Sequence, residues 1–153
     1  MRYWDSCAIV PLCTTLDIFA EQTKTIALED DIIVTWWGSQ VECCSTFARL
    51  RRAGRQTPEE ESMCRARLGR LAGAWNEVEP SERLRTLAKQ LLLRQNLRAA
   101  DAFQLAAAII WAQGEPEGSG FVTYDKNLRL AAQSEGFTIY PAHSEFEQLI
   151  ANL

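Results

Sequence analysis

The chain carries a single histidine, His143, and no Cys-x-x-Cys pair among its five cysteines. Metal-free nucleases that use the ribose 2′-hydroxyl typically rely on histidine acid–base pairs, and one histidine cannot form a pair. Cys7, Cys13, Cys43, Cys44 and Cys64 show neither zinc-ligand spacing nor an even disulfide framework. Small buried thiols in a reducing compartment are the favoured account, since free cysteine is among the most buried residue types. A Cys–His nucleophile would need His143, which lies in the polar segment Pro141-Ala142-His143-Ser144. No apolar run approaches the roughly 18–20 residues of a membrane span, and the longest, around Ala102 to Ala112, is interrupted by Gln104. Repeats, low-complexity tracts and linkers are also missing. The opening Met1-Arg2-Tyr3-Trp4-Asp5 puts a carboxylate where a signal peptide needs its apolar segment, so the expected location is cytoplasmic, away from membranes.

What is present is ordinary globular composition: 153 residues, 47% hydrophobic and 24% charged. That length suits one domain spanning residues 1–153, large enough to fold without a metal or disulfide staple. The net charge of −4 is unevenly spread. Arg49 to Arg98 holds 12 basic against 6 acidic residues, a local +6, and the remainder holds 4 against 14, a local −10. A basic middle between acidic ends is compatible with a polyanion met through one face, although on charge alone solvated helix surfaces are the favoured account.

Short strands are expected at Arg2–Asp5, Asp31–Trp36, Gly120–Tyr124 and Phe137–Tyr140, from their β-branched and aromatic content. Helices are expected between them. Pro11 would sit in the first turn of one, and Thr14 to Gln22 would form another with Leu16, Phe19 and Ala20 on one face. Ser39 with Glu42 has a capping-box spacing for a helix running to Ala53, stopped by Gly54. Thr57-Pro58-Glu59-Glu60 and Pro80-Ser81-Glu82 open two more. Ala99 to Ala112 is apolar almost all round, so it reads as a buried central helix, and Asn127 to Glu135 as a final one. Strands alternating with helices imply an α/β fold: a parallel sheet covered on both faces, a three-layer α/β/α domain. Its functional crevice is then expected beyond the carboxyl ends of the strands.

Four acids fall there. Asp5 and Asp125 end strands, Glu42 opens the helix after the second strand, and Asp101 opens the most apolar helix. Capping explains Glu42, Asp101 (with Gln104 three residues on) and Asp125 one at a time. Capping predicts no shared location, whereas metal binding requires one. Carboxylates gathered without bases repel, and Mg²⁺ or Mn²⁺, which prefer oxygen ligands, would supply the counter-charge.

Tyr3-Trp4-Asp5-Ser6, Trp36-Trp37-Gly38 with Val41-Glu42-Cys43, Leu97-Arg98-Ala99-Ala100-Asp101-Ala102, Gln104-Leu105-Ala106-Ala107-Ala108 and Phe121-Val122-Thr123-Tyr124-Asp125 together resemble the PIN domain in order and spacing. More narrowly they are similar to its small single-domain toxins of the VapC type, over nearly the whole chain. The resemblance implies a PIN-like fold and a metal-dependent endoribonuclease. Its acidic quartet, catalytic and metal-binding, is Asp5, Glu42, Asp101 and Asp125, supported by Ser6 and Thr123. Metal-activated water attacking the phosphodiester in line would leave 5′-phosphate and 3′-hydroxyl ends. The resemblance further implies a homodimer and a small antitoxin whose C-terminal segment blocks the acidic pocket, and Phe19, Phe47 and Leu50 are candidates for its groove or for the core. Arg49, Arg51, Arg52 and Arg55 are candidate RNA contacts, though neighbouring arginines have Glu59, Glu60 and Glu61 as alternative partners. Trp36 and Trp37 offer faces for unpaired bases, with a structural role favoured. Cys43-Cys44 beside Glu42 suggests sensitivity to oxidation. Two readings compete: a PIN nuclease in RNA processing without an antitoxin, and a non-catalytic α/β binding module. A receiver-type phosphotransfer domain fits less well, as Lys126 directly follows Asp125.

Overall fold

A computed structural model describes all 153 residues, Met1–Leu153. The strands are β1 (Arg2–Trp4), β2 (Ile33–Trp36), β3 (Asn76–Val78), β4 (Gly120–Val122) and β5 (Thr138–Tyr140). The helices are α1 (Ser6–Cys13), α2 (Ala20–Glu29), α3 (Ser39–Arg52), α4 (Pro58–Ala72), α5 (Glu82–Arg94), α6 (Ala99–Trp111), α7 (Lys126–Ser134) and α8 (His143–Ala151). All pairings are parallel, in the order β3-β2-β1-β4-β5. Chain direction across the sheet reverses between β1 and β4, which makes that boundary the topological switch point.

Neighbouring residues of a strand point to opposite faces, and β1 shows the consequence. Tyr3 packs with Phe121 and the apolar sides of α5, α6 and α7. Trp4 packs with Val122 and with residues of α1, α3, α4 and α8. Two cores therefore sandwich one sheet, the expected three-layer α/β/α arrangement. Helix α6 is buried along most of its length because it lies directly on the sheet. No helix is long and apolar enough to cross a membrane.

Several local expectations hold. Thr57 and Glu60 form a reciprocal capping box at α4, Ser81 accepts from the Leu84 amide at α5, and Gly54 takes the left-handed conformation after α3. Others fail for identifiable reasons. The helix expected over Thr14–Gln22 begins only at Ala20, because Thr14 Oγ1 captures the Leu16 amide and Asp17 Oδ1 the Phe19 amide, turn bonds that compete with a helix. Pro11 stands in the second half of α1 and not in its first turn. Gly38, not Ser39, caps α3, and Ser39 is buried inside its first turn. Two elements lay beneath the periodicity signal: β3, a three-residue edge strand of Asn-Glu-Val, and α8, where a polar tail was expected. Helix α8 forms because Phe146 buries against the second core, with Leu149 and Ile150 packed beside it. Phe47, a groove candidate, is fully buried core, while Phe19 stacks on Tyr124 at 4.1 Å.

Candidate active site

In a parallel α/β sheet the helices run back against the strands, so their N-termini collect at the strands' carboxyl edge. The four acids occupy four of those N-termini. Asp5 and Asp125 are the N-cap residues of α1 and α7, and Glu42 and Asp101 lie in the first turns of α3 and α6. The positive ends of the helix dipoles favour negative charge by about 0.3–1 kcal/mol each, which offsets part of the repulsion. Asp5 follows β1 directly and Asp125 lies three residues past the end of β4, on the other side of the β1/β4 switch point. Glu42, Asp101 and Asp125 line one polar cleft, shared with Ser6, Thr46, Arg49 and Arg98.

Each carboxylate is held differently. Asp5 is 3% exposed and makes no capping bond. Its Oδ2 accepts from Thr123 Oγ1 at 2.9 Å and from the Cys7 thiol at 2.7 Å, and its Oδ1 accepts from Ser6 Oγ at 3.3 Å. Ser6 Oγ also lies 2.8 Å from Glu42 Oε2, so one hydroxyl links Asp5 to Glu42. Gln104 Nε2 donates to the other Glu42 oxygen at 3.3 Å. Asp125 Oδ1 caps α7 by accepting from the Leu128 amide at 2.8 Å. Asp101 sits three residues past the Arg98 N-cap and receives no side-chain bond.

Burial is the main electrostatic fact of the cluster. It lifts Asp5 to about 6, with the Glu42 and Asp101 charges adding and the Cys7 and Thr123 bonds opposing. Burial also raises Glu42, against the Ser6 and Gln104 bonds, and the Asp101 charge adds to the rise. Asp101 is raised by burial and then by the Asp125 charge, with Arg98 opposing. None of the four forms an ion pair with a basic side chain.

The donors suit a hard divalent cation in kind: carboxylate oxygens, partly buried, with no ion-paired base. No three His, Cys, Asp or Glu side chains stand close enough together to form a ligand cage for a metal ion. An ion that keeps most of its waters and takes one or two carboxylates does not need such a cage, and Mg²⁺ usually binds that way.

Two capping accounts are corrected here. Asp101 and Gln104 do not form a capping box, because Gln104 is fully buried and bonded into the core. Ser39 does not cap with Glu42, since its hydroxyl lies between Thr35 Oγ1, at 2.7 Å, and Gln104 Nε2, at 3.0 Å. The Asp125 cap is as expected. Sequence reading missed what orients the acids: Cys7 for Asp5, and the chain Tyr3–Gln104–Ser39–Thr35 behind Glu42. A lone amide within the apolar stretch Ala99–Trp111 was the available signal, because a buried amide must be bonded. Arg129 was missed as well. It is 7% exposed, stacks over Phe146, and donates to the Thr123 and Pro141 carbonyls at 2.9 and 2.7 Å, anchoring the corner that carries Thr123.

The candidate RNA contacts separate along α3. Glu42, Thr46 and Arg49 share a helix face and all line the cleft. Arg51 is ion-paired with Glu61, which also holds Arg65. Arg52 and Arg55 are exposed. Arg52 lies about 15 Å along the helix axis from Glu42, at 1.5 Å per residue. The cysteines are all free, and Cys7, not Cys43 or Cys44, is the one that touches an acid of the quartet. No protein-family model matches the chain, and no curated protein matches it.

Proposed function

We propose that this chain is a metal-dependent endoribonuclease of the PIN type, acting as the toxin of a toxin–antitoxin pair. The observation that carries the reading is the placement of Asp5, Glu42, Asp101 and Asp125 along the switch-point edge of a parallel sheet, the last three lining one cleft, with none of them neutralised by a base. Mg²⁺ or Mn²⁺ held by one or two of these carboxylates and its own waters would supply the Lewis acidity and lowered water pKa that phosphodiester hydrolysis requires.

The chain's own groups do the positioning. Thr123 and Cys7 fix the Asp5 carboxylate, and Ser6 and Gln104 fix Glu42, so neither acid must be ordered when RNA arrives. Asp125 spends one oxygen on the α7 cap and has the other left for the cleft. Arg49 and Arg98 stand in the cleft wall, where a guanidinium fork can hold the phosphates on either side of the cut. The converging helix N-termini favour the same anion. An antitoxin segment with a basic side chain would enter this cleft by the same charge complementarity. A short reading frame for a DNA-binding protein directly upstream would support that partner over a role in RNA processing.

The test compares wild type with Asp101→Asn on total RNA, each stripped of co-purified protein, with Mn²⁺ or Mg²⁺ and with EDTA. Discrete products bearing 5′-phosphate ends are expected from the wild type with metal only. Equal products from both proteins, or none from folded, metal-supplied wild type across transfer, ribosomal and messenger RNA, would sink the reading. The latter result would favour the non-catalytic binding module.

A further inference from the structure

Trp37 is the only aromatic residue among the large hydrophobic side chains the fold leaves exposed, at 54%. It is nevertheless held firmly. Its amide donates to the Val78 carbonyl at 3.0 Å, tying it to β3. Its ring stands edge-on to Trp36, with centroids 6.2 Å apart and planes at 67°. Trp36 in turn stacks on Phe103 of α6 at 5.4 Å and 7°. A Cβ at position 38 would stand 2.5 Å from Trp36 Nε1, so glycine there makes the room the Trp36 indole fills. The result is a braced aromatic row with one member open to solvent.

Its location gives the row a use. Trp37 directly precedes the Gly38 cap of α3, whose first turn sends Val41 and Glu42 into the acidic cleft. Trp36 and Phe103 line a separate groove with Pro80, Ser81 and Arg85. The row reaches the acidic cleft through Trp36, whose indole N–H reaches the Glu42 carboxylate, while Arg49 and Arg98 line the cleft itself. Cationic forks for phosphate beside a rigid exposed indole are the two components of single-strand recognition, backbone charge plus base stacking.

We propose that Trp37 is a nucleobase platform that takes one unpaired base of a single-stranded RNA whose backbone runs through the acidic cleft. The proposal rests on the nucleic-acid reading of that cleft and adds the side chain that receives a base. A paired base in a duplex is already stacked on both faces and cannot lie on Trp37, so loops and unstructured strands are selected over helices.

The test uses metal-free protein in EDTA and a fluorescein-labelled unstructured oligoribonucleotide, its duplex, and versions with a single abasic site moved along the strand, read by anisotropy. Wild type should bind the single strand in preference to the duplex. Trp37→Ala should weaken that binding by about 5- to 150-fold, the range for one lost base–aromatic stack, while Trp37→Tyr keeps most of it. One abasic position should weaken wild type and leave Trp37→Ala unaffected. Equal affinity of wild type and Trp37→Ala, or a wild-type preference for duplex, overturns the platform while leaving the cleavage assay to decide the nuclease reading. Conversion of a dimer to a monomer by Trp37→Ala in sedimentation, with RNA affinity intact, would assign the indole to a contact between copies instead. If wild type neither binds nor cuts any RNA, the nuclease reading falls and takes the platform with it.

Discussion

Thr123 Oγ1 donates to Asp5 Oδ2 at 2.9 Å, joining the first residue past β4 to the first residue past β1 across the switch point. This bond supports a carboxylate whose burial costs more than any other influence acting on it. Thr123→Val keeps the shape and removes the donor. A hydrogen bond to a charged group contributes about 1.5–3 kcal/mol, so urea unfolding near pH 8 should show a loss of that order. Near pH 4.5 Asp5 is mostly protonated and the loss should shrink. Thr123→Ser should restore stability at both pH values. Equal losses for Thr123→Val at both pH values would mean that packing, not the bond, matters.

The quartet also predicts how stability follows pH. Asp5 ionises near 6 in the folded chain and near its ordinary 3.8 when unfolded, so the folded state binds more protons between those values. Stability must then fall as pH rises from about 4 to about 6, and level off above. Glu42 and Asp101, also raised, act in the same direction. Thermal melts of EDTA-treated protein should show this contribution, and Asp101→Asn should flatten it and raise the melting temperature at pH 7. Mn²⁺ or Mg²⁺ should raise the wild-type melting temperature and affect Asp101→Asn far less. A melting temperature that ignores both metal and substitution would leave the acids as four electrostatically independent groups.

Much of this site was legible because its acids follow a spacing that the alternation of strands and helices turns into one edge. Asp5 and Asp125 were readable as strand ends, since Tyr3-Trp4 and Phe121-Val122 are apolar pairs that can only be buried on both faces. What holds the acids was not legible. Gln104 looked like a capping partner from its three-residue offset to Asp101, yet its amide points the other way because Tyr3, distant by 101 residues in sequence, supplies a hydroxyl at 2.6 Å. Cys7 carries no local signal at all, and its thiol meets Asp5 only because α1 starts there. Strand β3 and helix α8 escaped for a related reason. Their burial comes from neighbours in space, β2 for one and Tyr124 with Arg129 for the other, and not from their own pattern.

Gln104, which has no exposed surface itself, connects Tyr3, Ser39 and Glu42, so its bonds are coupled. Gln104→Leu would leave the Tyr3 hydroxyl buried without a partner, at a cost of about 1–3 kcal/mol. Tyr3→Phe alone should cost a similar amount by stranding the amide oxygen. The double variant should lose less than the two singles summed, because with both changed neither the Tyr3 hydroxyl nor the Gln104 amide oxygen is left to be stranded. Urea denaturation of the four proteins gives that coupling directly. Strict additivity would show that Gln104 finds other partners once Tyr3 is changed.

The two arginines Arg49 and Arg51 stand two residues apart on α3 and should differ in RNA binding. Arg49 lines the cleft with Glu42 and Thr46, and its only side-chain bond is a long one, 3.4 Å, to Thr46. Arg51 is committed to Glu61, which also holds Arg65 at 2.9 Å. Each phosphate contact on a single strand contributes about 0.7 to the slope of log affinity against log salt. Arg49→Ala should therefore weaken binding of an unstructured RNA in EDTA and lower that slope by about one contact. Arg51→Ala should leave the slope unchanged and show its effect in thermal melts, through loss of the tie between α3 and α4. Both effects are read from the same salt titration and the same melts. If Arg51→Ala alone lowers the slope, the RNA runs along the far face of α3, and the acids at the sheet edge are not where its backbone lies.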